Sequence, residues 1–249
     1  MAVLSSMEDF ELAPGIDRDG LRRSFAEAGI AQISPFLAGD GAGRLRDQLA
    51  VRDDWIRAIK TAASNSFNIG LAESVMSPAQ VKGLESLAAP VAESGFRYVY
   101  DQIVAVGDDG GSRESGTLLS QIASLLTGAA MHALLHSITG AASAFADVQA
   151  TRYGPGQFLT RHNDKEEKSR RQFAYVLGLT EGWRPEWGGL LLFHDKTGEV
   201  VRGFVPRMNT LTIFSVPRDH SVTQVAPFAP RPRYSVTGWF HSENAPQRS

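Results

Sequence analysis

The stretch from Trp187 to Val225, WGGLLLFHDKTGEVVRGFVPRMNTLTIFSVPRDHSVTQV, decides the fold. It is a series of short apolar runs, Gly189 to His194, Thr210 to Ser215 and Ser221 to Val225, cut by turn material such as DKTGE and VPRD. Runs of this length, rich in β-branched and aromatic residues and bounded by Gly, Pro and Asp, read as strands. Further strands are expected on either side, at Ala146 to Tyr153, Gln172 to Leu179 and Arg233 to His241. Many short strands at close spacing point to a β-sandwich, barrel or jelly roll.

Upstream of Phe145 the texture is mainly helical. Leu21, Phe25 and Ala28 share one helix face, with Asp19 as the expected N-cap and Gly29 as the stop. A second helix is expected from about Gly43 to Ile59, and Ser77, Pro78 and Gln80 form a capping-box start for a third ending near Ser94. Two more follow, broken at Gly128 and ended at Gly140. Two strands interrupt the helices: AQISPFL, stopped by Pro35, and FRYVYDQIVA, from Phe96 to Ala105. GDDGGSRESG, Gly107 to Gly116, has no apolar side chain and reads as a mobile loop. The expected fold class is therefore α+β, mainly β with a helical flank. One domain is expected over residues 1–249, with helix-rich support over about 1–144 and the β core over about 145–241.

At 249 residues, 43% hydrophobic and 21% charged, the chain can bury a sizeable core. A net charge of −2 supplies no electrostatic footprint for nucleic acid or an anionic membrane. Cysteine is absent, which excludes disulfides, zinc-thiolate sites, Fe–S clusters and cysteine nucleophiles, so any metal must be held by nitrogen and oxygen. MAVLSSMEDFELAPG lacks a signal-peptide pattern and no run of eighteen apolar residues exists, so a cytoplasmic location is expected.

Six histidines leave few candidates for a metal. His132 and His136 lie four apart in MHALLH, but Ala133 stands where a zincin helix needs its Glu, and they read as structural or surface residues. His194 reads the same way, and His241, at the end of the last strand, is expected to be exposed. His162 differs, because Asp164 follows two residues later and, in an extended chain, both side chains reach the same side. A third ligand should come from a distant histidine, and His220 begins a later strand. Two histidines and one carboxylate leave three positions open on Fe(II), enough for a co-substrate and O2. In RYSVTGWF, period two puts Arg233, Ser235, Thr237 and Trp239 on one face and Tyr234, Val236 and Phe240 on the other. An arginine pointing into a barrel needs an anion, either an internal carboxylate or a ligand's.

In this order and spacing, RYGPGQFLTRHND (Arg152 to Asp164), WGGLLLF (Trp187 to Phe193), NTLTIF (Asn209 to Phe214), DHSV (Asp219 to Val222) and PRYSVTGWFH (Pro232 to His241) resemble the Fe(II)- and 2-oxoglutarate-dependent oxygenases, in their prolyl 4-hydroxylase-like branch. The resemblance implies a double-stranded β-helix, or jelly roll, buttressed by the N-terminal helices. It implies Fe(II) held by His162, Asp164 and His220, and 2-oxoglutarate with its 5-carboxylate on Arg233. Tyr153 would line that pocket, Ser235 would add a second donor, and Thr237 and Trp239 would lie nearer the metal. The acid in the triad resembles the hydroxylases rather than the halogenases. The implied activity is hydroxylation of an unactivated C–H bond by O2, with release of succinate and CO2 and with ascorbate supporting turnover. A prolyl residue of a protein or peptide is the expected substrate, a free amino acid or small molecule the alternative. The Gly107–Gly116 loop and the DKEEKSRR run (Asp164 to Arg171) either engage such a polypeptide or are simply solvated. One departure stands out: a tyrosine often found before the glycine pair falls at Gly178 here, and either Tyr175 replaces it or the contact is missing. The competing class is a cupin-like, non-redox isomerase or binding protein, which needs neither an inward Arg233 nor Ser235.

Overall fold

The computed structural model describes residues 10–61, 65–72, 76–88, 95–165 and 170–242. In chain order its elements are α1 (Arg18–Ala28), β1 (Ile30–Ile33), α2 (Gly41–Ala50), β2 (Ile56–Lys60), β3 (Ser66–Gly70), α3 (Pro78–Ala88), β4 (Tyr98–Val106), α4 (Leu118–Thr127) and α5 (Ala129–Thr139). There follow β5 (Phe145–Ala146), β6 (Val148–Tyr153), β7 (Phe158–His162), β8 (Arg171–Gly178), β9 (Leu191–His194), β10 (Val200–Phe204), β11 (Thr210–Ser215), β12 (His220–Val222) and β13 (Arg233–His241).

The strands join into one antiparallel sheet in the order β1-β11-β8-β13-β6-β4-β7-β12-β9-β10, with β2 and β3 added beside β4 and β5 beside β13. β4 pairs with β6 through residues 101–106 and with β7 through Tyr98 and Val99. The sheet thereby curls back on itself as the expected jelly roll. Along β13 the alternation is as expected: Tyr234, Val236 and Phe240 pack into the main core, while Arg233, Ser235, Thr237 and Trp239 face a cavity. That core holds Leu45, Leu49, Ile122, Leu126, Leu134 and Leu135 of the helices against Leu177, Leu211 and Ile213 of the sheet. The helices therefore cover one face of the sheet and leave the other to the site.

The first 144 residues are less helical than expected. α2 ends at Ala50, and the segment assigned to its last turns becomes the strand β2. Its Arg57 stands directly opposite Asp101 of β4, and Arg152 of β6 meets the same carboxylate from the other side. These cross-strand pairs accommodate charged residues at strand positions. The N-cap of α1 is Asp17 rather than Asp19: Asp17 Oδ1 accepts from Gly20 N at 2.9 Å, while Asp19 pairs with Arg22 in the first turn. Ser77 and Gln80 do cap α3 reciprocally, and its expected end near Ser94 lies outside the described residues.

The Gly107–Gly116 loop is anchored. Arg113 N donates to Ala105 O at 2.7 Å, and Glu114 takes two 2.8 Å hydrogen bonds from Arg52. Polar composition alone does not reveal such a tether, because its cation lies in a different element. Among the described residues no single helix is long and apolar enough to cross a membrane.

Candidate active site

β7 and β12 are antiparallel neighbours, and their register puts His162 opposite His220. Just past β7 the backbone turns through the left-handed region at Asp164 (φ 59°), a conformation that Asp tolerates better than most residues. The turn carries the carboxylate between the two rings. Asp164 Oδ1 lies 3.2 Å from His162 Nε2 and Oδ2 lies 3.5 Å from His220 Nε2. The three ligand atoms fall within 4.8 Å of one another, the one such group among the described residues. Phe96 stacks on His162 at 4.4 Å and Phe214 meets His220 edge-on at 4.8 Å, which restricts both rings.

Each imidazole is also held from behind. His162 Nδ1 lies 2.9 Å from Thr160 O, and His220 Nδ1 lies 2.8 Å from Arg218 O. A carbonyl can only accept, so Nδ1 carries a proton, and in the neutral ring that a metal requires Nε2 keeps its lone pair toward Asp164. Burial, together with the neighbouring His162, pulls the His220 pKa down to about 4, favouring the neutral ring. At Asp164 burial works to raise the pKa, but hydrogen bonding from His162 and the charges of both histidines outweigh it and hold the group at about 2. Two neutral imidazole nitrogens and an ionised carboxylate oxygen are a donor set that suits Fe(II). Asp164 Oδ2 is buried and accepts no hydrogen bond.

The triad opens onto a cavity of about 670 Å³ that also contains Arg233. Arg233 is 3% exposed. It donates to Gly189 O at 3.0 Å, its guanidinium lies 5.3 Å from the Tyr153 ring centre, and among the described residues no carboxylate pairs with it. Burial pulls its pKa below the usual arginine value. Beside it the hydroxyls of Ser235 and Thr151 lie 2.8 Å apart, and Gln149 Nε2 donates to Thr237 Oγ1 at 3.4 Å.

Tyr175 does not replace the missing tyrosine. Its hydroxyl donates to Asp147 O at 2.9 Å and its ring packs on Phe240. At Gly178 a Cβ would lie 2.2 Å from Arg207 O, so the backbone of the neighbouring loop occupies the place a side chain would need. Instead β4 supplies an aromatic wall that sequence reasoning missed. Arg233, Tyr153, Tyr100, Tyr98 and Phe96 succeed one another at 5.2 to 5.4 Å. The signal was present in FRYVY, whose period-two aromatics share a face.

His241 is buried rather than exposed, stacked on Phe145 at 4.3 Å with Nε2 3.6 Å from Asp147 Oδ1. β5 pairs with β13 at that end and covers it. His194 bonds Ser221 Oγ at 2.8 Å, in keeping with a structural role, and neither His132 nor His136 joins a metal-binding group among the described residues. Of DKEEKSRR, Lys165 and Arg171 line the cavity, while residues 166–169 lie outside the described residues.

Residues 148–241 match the 2OG-Fe(II) oxygenase superfamily. No curated protein sequence matches the chain significantly. Among solved structures, a prolyl-4-hydroxylase from Pseudomonas putida is 22% identical, with 91% of this chain and 99% of that one covered and a TM-score of 0.58. A 2OG-Fe(II) oxygenase family protein from Burkholderia pseudomallei is 15% identical, with 94% of each chain covered and a TM-score of 0.61. A prolyl hydroxylase from Trichoplax adhaerens, in complex with a hypoxia inducible factor oxygen degradation domain peptide fragment, is 15% identical, covering 91% of this chain and 89% of that one with a TM-score of 0.56. The stretch that carries the triad and Arg233 is thus similar to the 2OG-Fe(II) oxygenase superfamily, and prolyl hydroxylases are among the solved structures that share the fold of the whole chain.

Proposed function

We propose that the protein is a dioxygenase that uses Fe(II), 2-oxoglutarate and O2 to hydroxylate a peptidyl proline, with release of succinate and CO2. In this reading His162, Asp164 and His220 hold the iron, which when bound supplies O2 activation coupled to oxidative decarboxylation of the co-substrate. The observation that carries the reading is Arg233, a buried fork-shaped cation that no acidic side chain pairs with among the described residues, in the same cavity as the triad. A 2-oxo diacid has an end that chelates metal and a far carboxylate that suits such a fork. A cupin-like metal binder without co-substrate has no use for that charge.

The chain's own residues then divide the remaining work. Ser235, hydrogen-bonded to Thr151, offers a second donor next to Arg233. Tyr153 covers the guanidinium face and stays a neutral phenol, because burial raises its pKa well above the usual value. Thr237, held by Gln149, lines the passage between that end and the metal ligands. The rings of Phe96, Tyr98 and Tyr100 form an apolar wall suited to packing a pyrrolidine ring. The Trichoplax adhaerens prolyl hydroxylase, solved with a peptide fragment, supports the peptide assignment.

The test is succinate formation from 2-oxoglutarate under air with Fe(II) and ascorbate, with and without proline-containing peptides. Wild type should turn over, faster with a peptide substrate, and His162→Ala should not. Arg233→Ala should raise the 2-oxoglutarate KM by about 10–100-fold, the value of a charge-assisted hydrogen-bond pair. Wild type that neither binds nor consumes 2-oxoglutarate would overturn the class, and stimulation by free amino acids but not by peptides would overturn the substrate.

A further inference from the structure

This inference rests on the metal-ligand reading above and extends it to a residue outside the triad. A carboxylate in a facial three-ligand site binds the metal through one oxygen and leaves the other inside the protein. The Asp164 side chain is 5% exposed, so its second oxygen needs a donor from the protein. The imidazoles cannot serve, because both Nδ1 protons are committed to the carbonyls of Thr160 and Arg218 and both Nε2 atoms turn to the metal. Among the described residues of the cavity, one buried donor is left without an acceptor: Trp239 Nε1. The acceptor left without a donor in the same cavity is Asp164 Oδ2.

Both residues line the one cavity, and both atoms are buried and make no hydrogen bond. The indole is also clamped. The Arg171 guanidinium carbon sits 3.8 Å from the ring centre, and Trp239 N donates to Asp147 Oδ1 at 2.5 Å. A stacked cation and a fixed backbone leave the ring little freedom to turn its N–H elsewhere.

We propose that Trp239 is a positioning residue whose indole N–H is donated to the Asp164 oxygen that the metal leaves unbound. The hydrogen bond keeps the carboxylate one-toothed and correctly turned, and so preserves the open positions on the metal face. Trp239 would act through Asp164, without touching the reacting atoms.

Trp239→Phe removes the N–H and keeps an aromatic ring for Arg171. A second variant, with 3-benzothienylalanine at position 239, keeps the shape of the indole and replaces its N–H by sulfur. Mn(II) affinity is measured without 2-oxoglutarate or O2, and the visible spectrum is recorded with Co(II). Each variant should bind Mn(II) about 10-fold or more weakly than wild type, the usual effect of losing a hydrogen bond behind a metal ligand, and should show an altered Co(II) spectrum. Metal-free melting of the benzothienylalanine variant should match wild type. If wild type binds Mn(II) and both variants bind it equally well with an unchanged spectrum, the role of Trp239 is overturned while the triad stands. If wild type itself binds no Mn(II), the triad assignment fails and this inference fails with it.

Discussion

Among the described residues, Arg233 carries its charge into the cavity against the Gly189 carbonyl and the Tyr153 ring, with no carboxylate paired to it. A buried guanidinium without a counter-ion is destabilising, and a residue kept at such a cost is expected to trade stability for ligand binding. Arg233→Met, which keeps length and removes charge, should therefore stabilise the ligand-free protein by about 1 kcal/mol. The same variant should lose the rise in melting temperature that 2-oxoglutarate gives wild type. Thermal melts with and without the diacid check both halves, and a variant melting well below wild type without ligand would show that Arg233 is a structural strut. At this scale the sequence was largely legible. Arg233 shares a strand face with Ser235, as period-two arithmetic expects, whereas Asp164 comes round to His162 through a left-handed turn past the end of β7. His241 was not legible: its burial depends on β5, which pairs with β13 from about a hundred residues upstream.

At the scale of elements, charges join segments that periodicity treats separately. Glu114, 12% exposed in its side chain, takes two hydrogen bonds from Arg52, which also pairs with Asp54, and one from Thr117, the N-cap of α4. It thus ties the end of α2 to the start of α4. Hydrogen bonding from Arg52 holds the Glu114 pKa below its ordinary 4.5. A depressed folded pKa gives stability that is fully present above 4.5 and is lost as pH falls below that value and through the folded pKa. Glu114→Gln should cost about 1–2 kcal/mol near neutral pH and should flatten the acid limb of a stability–pH curve. An unchanged acid limb would mean that the tether contributes nothing. Asp101, 3% exposed and shared by Arg57 and Arg152, holds β2, β4 and β6 together in the same way. Asp101→Ala leaves both arginines short of their partner and should cost about 3–5 kcal/mol in denaturant melts. Most of β2 fell inside the helix expected from about Gly43 to Ile59. Only the opposing strands reveal what its charges meet.

For the whole molecule, the decisive consequence of the curl is that the His162–Asp164–His220 group and Arg233 share one cavity. β7 and β12 bring the histidines and Asp164, and β13, reached from β7 through β4 and β6, brings Arg233. A ligand that spans the cavity must couple the two ends, and coupling between sites is reciprocal. Metal alone, binding only the folded state, stabilises by about 2.7 kcal/mol at a hundredfold excess over its Kd. For a chain of this size that is a rise of about 5–10 °C in melting temperature. 2-Oxoglutarate without metal has Arg233 and its neighbouring hydroxyls to hold one carboxylate, and should raise Tm only slightly. With redox-inert Mn(II) present it gains a second anchorage, so the combined shift should exceed the sum of the separate ones. In His220→Ala both the Mn(II) shift and the excess should vanish, while the small shift from 2-oxoglutarate alone remains. Purely additive shifts in wild type would mean that the two ends do not engage one molecule, and the cavity would then have to be read as two independent sites.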